Sequence, residues 1–324
     1  MLNLNNIFFG GDSMKNKKGV RVFAAILSTT LLGSIALNKN DNYVKVLESH
    51  TIESHDSDYK FVAHRGFSSF EVENSKEAII IANNLPCASA IEVDVRLTSD
   101  ENLVLSHDDN LSKISDSTLE VSSSTYSELS QVPLLPRKPN YSFKTLFNLE
   151  NKVKIKRLEN KTGTIISLDE TLEVLSPEKT LFIELKFENN YEKLSRKVVD
   201  VLKKYPQKKF IIQAFEYKEL KRMMEEYPEY TYQLIIKDKS NLKYLDENFD
   251  AYGLKHTIID SDMVISILED GKEVSLWTIN SPHTFKKITD ELGSYADEVN
   301  YITDNPDILC YSVKSRVKQK ERRY

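Results

Sequence analysis

The stretch Ala90-Ile91-Glu92-Val93-Asp94-Val95-Arg96-Leu97-Thr98 decides how this chain folds. Its β-branched residues and strict alternation predict a strand with Glu92 and Asp94 on one face and Ile91, Val93 and Val95 on the other. Two carboxylates side by side on a segment suited to burial repel each other unless a cation lies between them or they share a proton.

On both sides of this strand, short apolar runs alternate with amphipathic helical patterns. Strands are predicted near Phe61–Ala63, Ile91–Leu97, Leu181–Leu185, Phe210–Ala214, Tyr232–Ile236, Ala251–Leu254, Val274–Thr278 and Val299–Ile302, with a short extra run at Leu103–Leu105. Helical patterns fall between them at Asn74–Leu85, Tyr191–Lys204, Tyr217–Tyr227, Asp262–Glu269 and His283–Leu292. Eight β-then-α units in about 260 residues specify an α/β fold, a (β/α)8 TIM barrel, and no internal repeat competes with that reading. One interval, residues 109–166, breaks the rhythm with Ser-rich sequence, Pro133, Pro136 and Pro139, and a basic tract of Lys152, Lys154, Lys156, Arg157 and Lys161. It is expected to be an inserted segment after the second strand, lying over the face where the strands end.

The first residues behave differently. A basic segment (1–21) carries Lys15, Lys17, Lys18 and Arg21, and an uncharged run (22–38) follows, its length between that of a signal peptide and a minimal membrane helix. This N-terminal membrane segment implies either secretion or a membrane anchor with the catalytic domain outside the cytoplasm. Residues 39–59 read as a polar linker and 60–324 as the barrel. The net charge of −5 and the lack of basic blocks interleaved with aromatics exclude a nucleic-acid surface. Cys87 and Cys310 are the only cysteines; one disulfide is open to an exported chain, but thiols so far apart in sequence are more often unpaired.

Polar residues recur at the strand ends: His64-Arg65-Gly66, Glu92 and Asp94, His107-Asp108, Glu184 and Lys186, Gln213, Trp277 and Asn280, and Thr303-Asp304. In a barrel these positions converge on the C-terminal rim, where active sites of this fold are built. Glu92, Asp94 and Glu184 offer three hard oxygen ligands, suited to Ca²⁺ or Mg²⁺. The Arg65 fork and the Lys186 ammonium suit phosphate oxygens, and His64 and His107 suit proton transfer near neutral pH.

The ordered set Ala63-His64-Arg65-Gly66, Glu73-Asn74-Ser75, Ile91-Glu92-Val93-Asp94-Val95, His107-Asp108, Ile183-Glu184-Leu185-Lys186, Leu276-Trp277-Thr278-Ile279-Asn280 and Tyr301-Ile302-Thr303-Asp304-Asn305-Pro306 resembles the glycerophosphodiester phosphodiesterases. The resemblance runs from Phe61 almost to the C-terminus. It implies a barrel enzyme that cleaves glycerophosphodiesters to glycerol 3-phosphate and an alcohol, using His64 and His107 as the acid–base pair. It also implies one divalent cation on Glu92, Asp94 and Glu184, phosphate contacts from Arg65 and Lys186, and Glu73 and Asn74 lining the same site. Trp277 is expected to form an apolar wall for glycerol or the leaving group. The sequence departs from the family pattern at Val72 (usually Pro), at Ser75 (usually Thr) and at Gln213-Ala214-Phe215 (usually Ser-Phe). These departures bear on substrate choice, which can be deacylated phospholipid or glycerol-phosphate polymer. Two other readings remain at this stage: a lipid phosphodiesterase forming a cyclic phosphate, and a catalytically silent module that binds anionic polymer.

Overall fold

The computed structural model describes residues 59–137, 158, 160–188 and 190–321; the basic segment, the uncharged run and almost all of the linker lie outside them. Among the described residues no helix is long and apolar enough to cross a membrane. The β-branched runs form β1 (Lys60–Ala63), β2 (Ala88–Leu97), β3 (Leu103–Leu105), β4 (Thr180–Leu185), β5 (Lys209–Ala214), β6 (Thr231–Ile236), β7 (Ala251–Lys255), β8 (Glu273–Trp277) and β9 (Asn300–Thr303). The sheet order is β1-β9-β8-β7-β6-β5-β4-β2-β3, and an additional β1–β2 pairing closes eight parallel strands into a barrel. Among the described strands only β3 runs antiparallel, as a hairpin arm on β2.

The alternation of the opening stretch has the consequence anticipated for it. Ile91, Val93 and Val95 are fully buried on the outer face of β2, and Glu92 and Asp94, also buried, point into the barrel. Lower in the lumen, Val62, Ala90, Phe182, Ile211 and Ile302 form an apolar layer beneath them. Each such side chain contributes about 1.5–3 kcal/mol through apolar area removed from water, and this floor keeps the polar layer above it away from the far mouth.

Helices cover the outside: α1 (Lys76–Asn84), α2 (Tyr126–Leu129), α3 (Leu168–Val174), α4 (Tyr191–Leu202), α5 (Tyr217–Glu226), α6 (Ser261–Glu269), α7 (Pro282–Leu292) and α8 (Pro306–Glu321). The start of α1 is fixed by Ser75, whose hydroxyl accepts from the Ala78 amide, and its buried face is Ala78, Ile79, Ile81 and Ala82. It packs so closely on the loop after β1 that a Cβ at Gly66 would lie 2.8 Å from the Ala78 backbone; Gly66 also has φ +75°, so no other residue fits.

The insertion is more than a covering loop. Its described part holds short 3₁₀ turns at Leu111–Lys113 and Val121–Ser123 and the single-turn α2, whose apolar residues Leu111, Ile114, Val121, Leu129 and Leu134 pack with Val72, Val104 and Ile165. Of the basic tract, Lys152, Lys154, Lys156 and Arg157 lie outside the described residues. Lys161 pairs with the buried Glu71 and sits 4.7 Å from the Phe70 ring centroid, which anchors the returning chain.

The cysteines correct the expectation drawn from their spacing. Cys87, just before β2, and Cys310, on α8, form a disulfide across 223 residues. Barrel closure brings the last helix against the loop entering β2, a proximity that sequence distance hides. A cross-link spanning so much chain restricts the unfolded ensemble, so reduction should cost about 3–5 kcal/mol and lower Tm by roughly 5–15 °C. Scanning calorimetry with and without reductant checks this; a shift below about 2 °C would mean that the cross-link adds little to stability.

Candidate active site

Barrel alternation raises every second residue of each strand toward the lumen, and the rim positions follow from it. Directly after β1, His64 leads into Arg65 and Gly66, both at positive φ (54° and 75°). This left-handed turn directs the Arg65 amide at Glu92 Oε2, at 2.9 Å, and lets Arg65 Nε reach Asp94 Oδ2 at 3.2 Å. Asn74, also at φ 54°, closes the turn by donating its amide to the Arg65 carbonyl. Its side chain donates to Asp94 Oδ2 at 2.8 Å and accepts from the Asp94 amide at 3.2 Å. Asn tolerates the left-handed region better than most residues, which explains the residue type at this position.

Glu92, Asp94 and Glu184 are all buried, and their carboxylate oxygens lie within 4.8 Å of one another. Lys186 Nζ sits 2.8 Å from Asp94 Oδ1 and pairs with Glu184. Burial, reinforced by Asp94 and Glu184, pushes the Glu92 carboxyl well above the usual range. Burial and the Asp94 charge lift Glu184 to about 7. Burial acts upward on Asp94 as well, but Lys186 and Arg65 overcome it and hold Asp94 well below its ordinary value. Two of the three buried carboxylates are thus disfavoured as anions at this spacing, which a nearby positive charge would relieve. Oxygen donors alone, at this spacing, fit a hard divalent cation.

The histidines flank this triad. His64 Nδ1 is 2.7 Å from Asp304 Oδ1, and its Nε2 lies 3.9 Å from Glu92 Oε2, on the side of the triad. Asp304 is itself oriented by Ser68 and by Asn280, which donates from Nδ2 at 3.0 Å and accepts from the Asp304 amide at 2.8 Å. His107 follows β3, with Nδ1 3.4 Å from Asp108 Oδ2 and its carbonyl held by Arg96. Burial, helped by Arg65 and Lys186 against Asp94, brings the His107 imidazole down to about 4, so it is neutral near pH 7. Side-chain exposures of 20% and 34% leave both rings reachable from the rim.

All ten sequence-predicted residues lie on this one rim. Arg65 Nη1 meets Glu73 Oε1 at 2.8 Å, and Trp277 stands further round, edge-on to Phe215 with centroids 5.8 Å apart. Several neighbours escaped the sequence reading. Arg137, from the insertion, bridges Glu73 (2.6 and 3.1 Å) and Asp108 (2.6 Å), tying the segment to both the Arg65 and the His107 motifs. A buried relay crosses the lumen: Ser275 donates to Gln233 (2.7 Å), Gln233 to Gln213 (2.6 Å) and Gln213 to Glu92 Oε1 (3.4 Å). A Cβ at Gly253 would lie 2.9 Å from Gln233 Nε2, so glycine leaves the relay its room. Gln213, the departure noted on the fourth barrel strand, therefore helps to orient a triad carboxylate.

The sequence profile of the glycerophosphoryl diester phosphodiesterase family matches residues 64–308, from the first rim histidine to α8. The chain belongs to that family. It is thus a phosphodiesterase by class. It is 26% identical over 256 residues to YhdW of Bacillus subtilis, a protein named for glycerophosphodiester phosphodiesterase activity, covering 76% of this chain and 95% of that one. Among solved structures it resembles an Oleispira antarctica phosphodiesterase in complex with sn-glycerol-3-phosphate (TM-score 0.62, 24% identity, 79% of this chain and 96% of that one). It also resembles a Thermotoga maritima glycerophosphodiester phosphodiesterase (TM-score 0.58, 21% identity, 79% and 99%). At these identities the two structures speak for the shared barrel fold.

Proposed function

We propose that this phosphodiesterase hydrolyses glycerophosphodiesters to glycerol 3-phosphate and an alcohol, with His64 and His107 moving the protons. One divalent cation, Ca²⁺ or Mg²⁺, belongs on Glu92, Asp94 and Glu184. The observation that carries the reading is the meeting of two histidines, a buried carboxylate triad and the cations Arg65 and Lys186 on one barrel rim. The bound cation supplies Lewis acidity and neutralises phosphate charge.

Arg65 offers a planar fork to two phosphate oxygens, and Glu73, gripping it from the other side, fixes its plane. Lys186 offers a point charge. The neutral His107 takes a proton from the attacking water as its oxygen bonds to phosphorus. His64, held at Nδ1 by the Asp304 carboxylate, gives a proton to the departing alkoxide oxygen. Asn74 keeps Asp94 in place. Trp277 supplies an apolar wall on the leaving-group side. The glycerol 3-phosphate product named for the Oleispira neighbour supports the substrate class.

A barrel outside the cytoplasm, anchored or secreted, is the reading that the N-terminal pattern and the long-range disulfide support. The test is phosphorus NMR of glycerophosphocholine turnover in ¹⁸O-water, with and without chelator. Label in the glycerol 3-phosphate and loss of turnover on chelation, reversed by added Ca²⁺ or Mg²⁺, are expected; an accumulating cyclic phosphate or chelator-resistant turnover would overturn the scheme.

A further inference from the structure

The inward face of β5 to β8 carries a second set of groups that the proton transfers do not use. Its alternation is anchored by Gln213, Gln233 and Ser275, which meet inside the lumen, and by Gly253, which faces Gln233. One step further up the same face come Lys255 and Trp277, the last residues of β7 and β8, and just past the ends of β5 and β6 come Phe215 and Lys237. Contacts agree with this placement: Lys237 Nζ lies 5.3 Å from the Phe215 centroid, Trp277 packs edge-on against Phe215, and Lys255 pairs in register with Trp277.

Lys237 and Lys255 are exposed, and neither is paired with a carboxylate among the described residues, whereas Lys186 is taken up by Asp94 and Glu184. The Trp277 indole N–H is buried without a hydrogen-bond partner among the described residues. Unpaired cations beside an unused donor and an aromatic wall fit an anion. They do not fit a quaternary ammonium, because Lys186 and Lys237 already approach the Phe215 ring that such a group would need.

We propose that Phe215, Lys237, Lys255 and Trp277 form a subsite for a leaving alcohol that itself carries a phosphate. The inference rests on the phosphodiesterase reading above and deepens it: the substrate is a diester with a second anionic group beyond the scissile bond. The aromatic edge borders the glycerol carbons, the Trp277 N–H donates to an oxygen of the leaving group, and the two ammonium groups face its phosphate.

The test compares kcat/KM on three diesters whose leaving groups are glycerol phosphate, glycerol and choline. The first should exceed the other two by at least ~10-fold at low salt, with the ratio shrinking as ionic strength rises. In the Lys237→Gln/Lys255→Gln protein the loss on the first substrate should be at least ~5-fold larger than on the second. Equilibrium binding of glycerol bisphosphate, followed by calorimetry, reads the subsite without turnover. Weaker binding in the double variant supports the subsite even if no diester is hydrolysed, an outcome that would instead fell the phosphodiesterase reading. Equal rates on all three diesters, or unchanged bisphosphate binding in the double variant, overturn the proposal.

Discussion

Replacing either rim histidine should abolish most turnover while leaving the barrel intact. His64→Ala and His107→Ala are each expected to lower kcat by about 10²–10⁴-fold, the usual worth of a positioned proton-transfer group. KM should change little, since the proposed phosphate contacts are Arg65 and Lys186. Both rings are partly exposed and neither belongs to the apolar core, so thermal unfolding should shift only slightly. The two losses should combine to much less than their product, because removing one end of a proton path makes the other redundant. Steady-state kinetics on the two single variants and the double variant settle the matter; a single variant that retains activity within about tenfold of the parent removes that histidine from the chemistry.

Asp94→Asn should lose cation affinity and activity together, by at least about 100-fold, without unfolding the chain. Deleting a buried charge next to Lys186 and Arg65 is ordinarily costly. Here two more carboxylates stand by: the Asp94 charge is part of what raises the Glu92 and Glu184 carboxyls, so its removal favours their ionisation against the same cations. Titration calorimetry with Ca²⁺ or Mg²⁺, circular dichroism and the diester assay separate the outcomes, and a variant that simply unfolds would make the strand's carboxylates structural. The parent protein carries a related pH signature. Glu184 ionises near 4.5 when unfolded and about 7 when folded, so the cation-free protein loses stability as pH rises from the first value through the second. A bound cation must displace that proton, and its affinity should therefore fall as pH drops below about 7.

The sequence exposed what periodicity controls. Strand alternation placed Glu92, Asp94, Glu184 and Lys186 on inward faces, and eight such strands require a rim where their ends meet. What stayed hidden depended on register or on aperiodic packing. Gln213, Gln233 and Ser275 become one relay only once Gln213 is known to lie opposite Gln233. The insertion builds its small core from Leu111, Ile114, Val121, Leu129 and Leu134, spaced to no helical or strand period, and Arg137 at its edge carries no local signal. Helix α3 was legible and overlooked: Ser167 and Glu170 form a capping box ahead of its apolar residues. The disulfide was invisible because it depends on closure, which brings α8 back to the start of β2.

Closure also sets when the enzyme comes into being. β1 is completed only by hydrogen bonding to β9, and His64 finds its orienting carboxylate in Asp304, 240 residues later. A nascent chain, emerging N-terminus first, carries the triad strands β2 and β4 long before it carries the partner of its first histidine. The His64–Asp304 pair thus waits for the final strand, and so does the Cys87–Cys310 bond, whose second cysteine follows β9 in the chain.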